Sequence, residues 1–249
     1  MAGPNDAAVV PRVLAHYARC AAHLERSFEG TPIVFADFPR GFHGVPRFRV
    51  THIALSAERI GWLVQREYAV EFHSWAPLPG SPERLRFGRV AVSPNAKVGF
   101  RGVKEIALAL HEELLVAGYD AIPVLDGTGG VMLWLPFTES PPAGKIRVKL
   151  ERICARVPLR RKATLDTTIN AAGAYSPLPY SLRGTPALPV CAPVTWAELE
   201  RLRAPVICTA ETFPARFGRV GDLFAQSVEG LASQRLRTAT RRRRAAAVS

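Results

Sequence analysis

The sequence predicts an α+β fold, and three observations predict it. Short apolar runs bounded by glycine and proline turns read as strands. One long segment, Val103 to Gly118, has unmistakable helical periodicity. Helices and strands then follow each other in an irregular order, without the regular strand–helix alternation of a parallel α/β array.

From the N-terminus, residues 12–28 read as a helix, because Val13, Tyr17, Cys20, Ala21 and Leu24 recur at helical spacing. Gly30 ends it, and Ile33-Val34-Phe35-Ala36 reads as a strand. Pro39-Arg40-Gly41 is a turn, and Phe48 to Ile53 a strand. Ser56 is a good N-cap for a helix to about Arg66, with Glu58 in its first turn. Tyr68 to Trp75 and Leu85 to Val92 read as strands around a loop, Pro77 to Pro82. In the 103–118 helix, Val103, Ile106, Ala107, Leu110, Leu114 and Ala117 form one apolar face. Ala121 to Leu125 and Val131 to Phe137 flank Asp126-Gly127-Thr128-Gly129-Gly130, a hairpin loop. No helix follows that loop, so it is not a P-loop. Residues 138–144 read as a loop. Ile146 to Val157 has both helical and alternating character, and Ala163 to Ile169 reads as a weak strand. The proline-rich stretch 173–194 predicts little regular structure. Thr195 caps a helix to Leu202, and short helices are expected near 213–217 and 221–232. The expected organisation is an N-terminal extension, 1–11, a globular domain, 12–234, and a basic disordered tail, 235–249, carrying Arg241-Arg242-Arg243-Arg244.

The chain has 249 residues and is 48% hydrophobic, enough to bury a sizeable core, so most of it is expected to be ordered. Its formal charge is +12, almost all from arginine: the lysines are Lys97, Lys104, Lys145, Lys149 and Lys162. Arginine suits bidentate phosphate contacts, and a GC-rich genome gives the same bias. The sign of the charge favours a polyanion such as nucleic acid as partner. Cys20, Cys154, Cys191 and Cys208 are scattered, which argues against a zinc site or disulfide framework and for a reducing cytoplasm. The first residues do not read as a signal peptide, and no run of about 18 apolar residues predicts a membrane span.

Several segments, taken in order, carry a resemblance. Thr31-Pro32-Ile33-Val34 through Pro39-Arg40-Gly41-Phe42-His43-Gly44 is similar to "RPLTL…PDGIDG", and Val70-Glu71-Phe72-His73-Ser74-Trp75 to "IELHPW". The 103–118 helix with Pro123, Gly127, Gly130 and Leu133-Trp134-Leu135-Pro136 is similar to "ALAVRELLDELGL…PKTSGGKGLHVVVPL". Asn170, Gly173 and Pro179-Tyr180-Ser181-Leu182-Arg183 match "DYLQNARGKTTVAPYSLRA", and Thr195-Trp196-Ala197-Glu198-Leu199 matches "SWDEL". Over roughly residues 12–236 the chain resembles the polymerase domain of bacterial ligase D, of the archaeo-eukaryotic primase superfamily. The resemblance implies two packed α/β modules whose mixed or antiparallel sheet forms a cleft. It also implies two-metal nucleotidyl transfer with Mg²⁺ or Mn²⁺ in DNA end joining, in a bacterial, nucleoid-associated setting. The partners it implies are double-stranded DNA ends and overhangs, nucleoside triphosphates, a separate DNA ligase and a Ku-like protein. Two ions about 3.5–4 Å apart activate the primer hydroxyl and neutralise the triphosphate, and they need carboxylate ligands.

The departures from the family pattern matter as much. The family's "DLDP" aligns with Ala91-Val92-Ser93-Pro94, so Ala91 and Ser93 stand where two metal aspartates belong; Asp166 matches the third. Asp126 stands where the family has serine in its triphosphate loop, and Met132 where it has histidine. Arg183, His73, Asp126 and Asn170 are the nucleotide-binding candidates. Arg160, Arg161, Lys162 and Arg241 to Arg244 are the DNA-binding candidates. The alignment is shortened after Val50 and between Phe137 and Lys162, Val50 or Thr51 replaces a family lysine, and no KxDG nucleotidylation motif occurs. The expectation is a DNA-end-binding protein of end-joining repair whose polymerase or primase activity is weakened or lost. The alternatives are an active primase-polymerase whose metal site is regrouped from Glu71, Asp126 and Asp166, and a non-catalytic scaffold for a ligase or Ku-like partner.

Overall fold

The computed structural model describes residues 9–75, 77–78, 80–95, 98–158 and 163–231. Its elements are helix α1 (Val9–Phe28), strands β1 (Pro32–Asp37) and β2 (Arg47–Ala54), helix α2 (Ala57–Glu67), and strands β3 (Glu71–Trp75), β4 (Pro77–Leu78), β5 (Ser81–Leu85) and β6 (Phe87–Pro94). Helix α3 (Phe100–Val116), the hairpin β7 (Ile122–Leu125) and β8 (Val131–Pro136), and helix α4 (Ala143–Arg156) come next. Strand β9 (Ala163–Asp166), a 3₁₀ turn (Thr168–Asn170), β10 (Tyr175–Pro177), α5 (Trp196–Arg201) and α6 (Phe213–Val220) complete the named elements, and residues 223–231 are helical.

Two four-stranded sheets organise the chain, in the orders β10-β3-β1-β2 and β7-β8-β6-β9, with β4-β5 as a separate hairpin. Every pairing between these strands is antiparallel. The fold is therefore α+β, as expected, and of the two sheet types left open the antiparallel one is found.

The second sheet separates two cores, because successive side chains in a strand point to opposite faces. Phe87 and Ala91 of β6, Met132 and Trp134 of β8, and Ile122 and Val124 of β7 face one core, which they share with α1 and the first sheet. Val90 and Val92 of β6, with Leu133 and Leu135 of β8, face the other, which α3 and α4 cover through Ile106, Leu110, Ile146 and Leu150. Among the described residues no helix is long and apolar enough to cross a membrane.

Several boundaries differ from expectation for local reasons. The strand expected from Tyr68 begins at Glu71, because Tyr68 caps α2 in the left-handed conformation at φ 55°. Residues 77–82, expected as a loop, contain the β4–β5 hairpin. Leu85 belongs to β5, so the next strand starts at Phe87 and runs to Pro94. The ambiguous stretch after residue 143 is a full helix, α4. The strand expected to reach Ile169 stops at Asp166, whose side chain turns the chain into the 3₁₀ turn. The proline-rich region holds β10, which closes the edge of the first sheet.

Candidate functional site

The register of the second sheet sets the site. Ala91 lies directly opposite Met132 on β8 and directly opposite Asp166 on β9, so Met132, Ala91 and Asp166 form one row. Ser93 is one side-chain period further along β6, opposite Thr164. The Asp126–Gly130 loop folds over the same end of the sheet: a side chain at Gly130 would meet the Val92 carbonyl oxygen at 2.9 Å, and one at Gly129 would meet Pro94. Ala91, Ser93, Asp126, Met132 and Asp166 thus gather at one end of the sheet.

This row does not fit a two-metal centre. Hard divalent cations take several oxygen ligands, yet the row offers one carboxylate, a methyl group and a thioether. Asp166 Oδ1 accepts from the backbone N–H of Thr168 at 2.8 Å and from its hydroxyl at 2.6 Å, so it is engaged in the bend that leads into the 3₁₀ turn. Asp126 Oδ1 accepts from the N–H groups of Thr128 at 2.7 Å and Gly130 at 2.9 Å, so it shapes its own loop. Glu71 is buried in other interactions. Among the described residues no three His, Cys, Asp or Glu side chains converge on a metal position, and the regrouping of Glu71, Asp126 and Asp166 is not formed.

Beside the row lies a buried polar cluster. Glu71, on β3, receives the Gly184 N–H at 2.8 Å, pairs with Arg183 Nε at 3.4 Å, and meets His73 Nε2 at 3.0 Å. Burial opposes ionisation of Glu71, but the His73 hydrogen bond and the Arg183 charge hold its carboxyl below the usual range. Burial pushes the His73 imidazole down, offset in part by Glu71. The two directions agree on one state: neutral His73 donating to ionised Glu71. His73 Nδ1 has no hydrogen-bond partner among the described residues. Burial works against the Arg183 guanidinium, yet Cys191, Glu71 and Asp126 raise its pKa above the ordinary value. Position 184 must be glycine here, since a Cβ would overlap the Phe38 ring.

Three participants escaped sequence reasoning. Phe48 and Tyr175 set their rings edge-on to His73 at 5.1 and 5.7 Å, and Phe48 with Val50 leaves an open apolar face next to the cluster. The only signal for Phe48 was its alternation with Arg47 and Arg49. The third is Arg89, two residues before Ala91, with 1% exposure and no carboxylate partner among the described residues. Its guanidinium donates to the Ser74 carbonyl at 3.0 Å, Ser74 Oγ at 2.7 Å, Ser176 Oγ at 2.7 Å and the Trp75 carbonyl at 2.8 Å, and lies 4.3 Å over the Trp134 ring. Burial lowers its pKa to about 9. Arg89 thereby ties β6 to β3 and β10, joining the two sheets. An arginine inside an otherwise apolar strand was the available signal.

Asn170, expected to face a nucleotide, is fully buried. Its amide donates to the Arg89 and Thr167 carbonyls at 2.7 and 2.8 Å, and its Oδ1 accepts the Arg89 N–H at 2.8 Å, so it staples the 3₁₀ turn to β6. Arg160, Arg161, Lys162 and Arg241 to Arg244 lie outside the described residues.

The family profile "LigD, primase-polymerase domain" matches residues 45–224. The chain is 27% identical over 194 residues to the multifunctional non-homologous end joining protein LigD of Mycobacterium bovis and to the corresponding DNA repair protein LigD of Mycobacterium tuberculosis. The match takes in 68% of this chain and 25% of those proteins, so the chain spans about a quarter of the length of the curated relatives it matches. Among solved structures it is similar to the polymerase domain from Mycobacterium tuberculosis ligase D in complex with DNA, with a TM-score of 0.73 and 22% identity, over 88% of this chain and 91% of that one. The profile match spans more than half of the sequence, and the chain belongs to the LigD primase-polymerase domain family.

Proposed function

We propose that this protein binds DNA ends in non-homologous end joining and has lost efficient nucleotidyl transfer. The observation that carries the reading is the row Met132–Ala91–Asp166, which keeps the backbone of a carboxylate centre and leaves one carboxylate in it. Metal-assisted transfer needs convergent ligands held to fractions of an ångström. Non-specific DNA affinity needs only a positive surface that releases counterions, and so it tolerates drift at single positions. The +12 charge supplies that surface. Arg183, beside Glu71 and the Asp126 loop, is the residue to contact phosphate, and the open Phe48 ring beside Tyr175 is a platform on which an unpaired base can stack. A separate ligase and a Ku-like protein are the partners such a protein would serve.

The test is primer extension with Mn²⁺, run beside DNA binding on duplex ends and overhangs. We expect binding that falls steeply with salt and no extension beyond background. Extension at the rate of intact relatives would refute the loss of catalysis. Absence of DNA affinity at low salt would refute the binding role.

A further inference from the structure

A second surface lies on the far side of the second sheet from the Ala91–Asp166 row. There α3 and α4 cover the sheet with their apolar faces, and the outer side of α4 forms a concave groove of about 560 Å³ with Ala117 at the end of α3. Lys145, Lys149, Arg152 and Arg156 line it from successive turns of α4, and no carboxylate lines it. Arg156 is neutralised by Glu113 at 2.7 Å. Lys149 lies 4.6 Å over the Tyr119 ring, an arrangement that leaves its charge unopposed. Lys145 and Arg152 have no ion pair among the described residues. The acid on this helix, Glu151, pairs with Arg147 instead.

The floor of the groove is aliphatic. Val148 and Ala117 line it, and Val148 is 40% exposed. At its edge the end of α3 presents Val116, 82% exposed, and Leu115, 49% exposed. Scattered exposed apolar residues need no explanation, but Val148 is set among the groove's three unneutralised cations, and an exposed apolar spot inside such a charged lining marks an interaction site. A phosphodiester backbone would satisfy the cations and bury the valines against charged oxygens, which costs free energy. An acidic polypeptide carrying aliphatic side chains satisfies both halves of the surface.

We propose that the α3–α4 groove docks an acidic, leucine- or valine-bearing segment of a partner protein, leaving the opposite face free for DNA. The proposal stands apart from the DNA-end reading, since the groove and the row lie on opposite faces of one sheet.

The experiment titrates the full chain with a fluorescein-labelled helical peptide of Asp and Glu with leucine along one face, and with its Leu→Ser counterpart, reading anisotropy at physiological salt. A short duplex DNA is titrated in parallel. The expected result is peptide binding in the range of about 10–100 μM, as small interfaces give. The variant Lys145→Glu/Lys149→Glu/Arg152→Glu should weaken it about tenfold or more, and Val148→Asp about fivefold. All four positions are exposed, so the variants should fold like wild type, which circular dichroism verifies. The Leu→Ser peptide should bind about fivefold more weakly, and Val148→Asp should change duplex binding less than about twofold. Equal binding of the two peptides, or indifference to the charge reversals, would overturn the proposal. Dependence of duplex binding on Val148 would also overturn it, by assigning the groove to nucleic acid. Loss of DNA binding alone would leave the groove intact and remove only the DNA-end reading.

Discussion

Strand β6 carries two adjacent rows with opposite fates. At Arg89 the guanidinium holds Ser74, Trp75 and Ser176, Trp134 lies against it, and Asn170 clamps its backbone. At Ala91, one side-chain period on, Met132 and a methyl group face a single carboxylate that is bonded to Thr168 two residues on. The first row joins the sheets and the second would do the chemistry. On the proposed loss of transfer, their difference teaches that a scaffold and its reactive row drift separately, because cooperative burial protects the one and only function protects the other.

The largest expected effect breaks the first row. Arg89→Met leaves the Ser74 and Trp75 carbonyls and two serine hydroxyls buried without their donor, at about 1–3 kcal/mol for each unsatisfied group. We expect a net loss of at least about 3 kcal/mol, read as a lower denaturation midpoint in urea, whereas Ala91→Ser should fall within about 0.5 kcal/mol of wild type. Equal costs in the two rows would remove the contrast.

A smaller effect sharpens the second row. Ala91→Asp with Ser93→Asp places a carboxylate directly opposite Asp166, and like charges so placed cost about 1 kcal/mol. Mn²⁺ should raise the melting temperature of this variant and leave wild type unchanged. No response to Mn²⁺ in the variant would mean that the backbone of the row no longer supports a metal.

The smallest effect concerns the cluster beside both rows. Glu71 has its folded pKa below the unfolded value, so its contribution is present above the unfolded carboxylate pKa and is lost as pH falls through the folded one. His73, lowered chiefly by burial, is neutral when folded, so its protonation in acid also favours unfolding. Both signs make acid destabilising. Stability measured from neutral to acidic pH should fall less steeply in Glu71→Gln than in wild type; an unchanged slope would place the acid sensitivity elsewhere.

Much of the fold was legible because single elements carry their own signal. Helix α3 announces itself through Val103, Ile106, Leu110 and Leu114, all buried as the spacing predicts. Helix α4 was ambiguous because Ile146-Arg147-Val148-Lys149-Leu150 alternates locally; Val148 is exposed, and the helical period reappears in Ile146, Leu150 and Ile153. Strand β10 was hidden among prolines, since its pairing partner lies a hundred residues earlier, on β3. In the site, Ala91 and Ser93 stood out in the sequence as departures from the pattern the chain resembles. Arg89, Phe48 and Tyr175 were not, because their roles exist only between strands distant in sequence, and Asn170 proved to hold backbone.

The first sheet also carries a timetable. Its edge strand β10 pairs with β3 only after α3, the second sheet and α4 have been made, and His16 Nε2 meets the Tyr180 carbonyl across 164 residues. Non-local pairings of this kind cost loop-closure entropy before they stabilise anything, and they slow folding. A chain emerging from the ribosome therefore has β1 beside β3 early, and holds the other edge of β3 and the His16 face of α1 open until residues 175–180 are made. Each sheet nevertheless starts from a local hairpin, β1–β2 in the first and β7–β8 in the second, so what waits longest is the closing edge strand, β10 in one and β9 in the other.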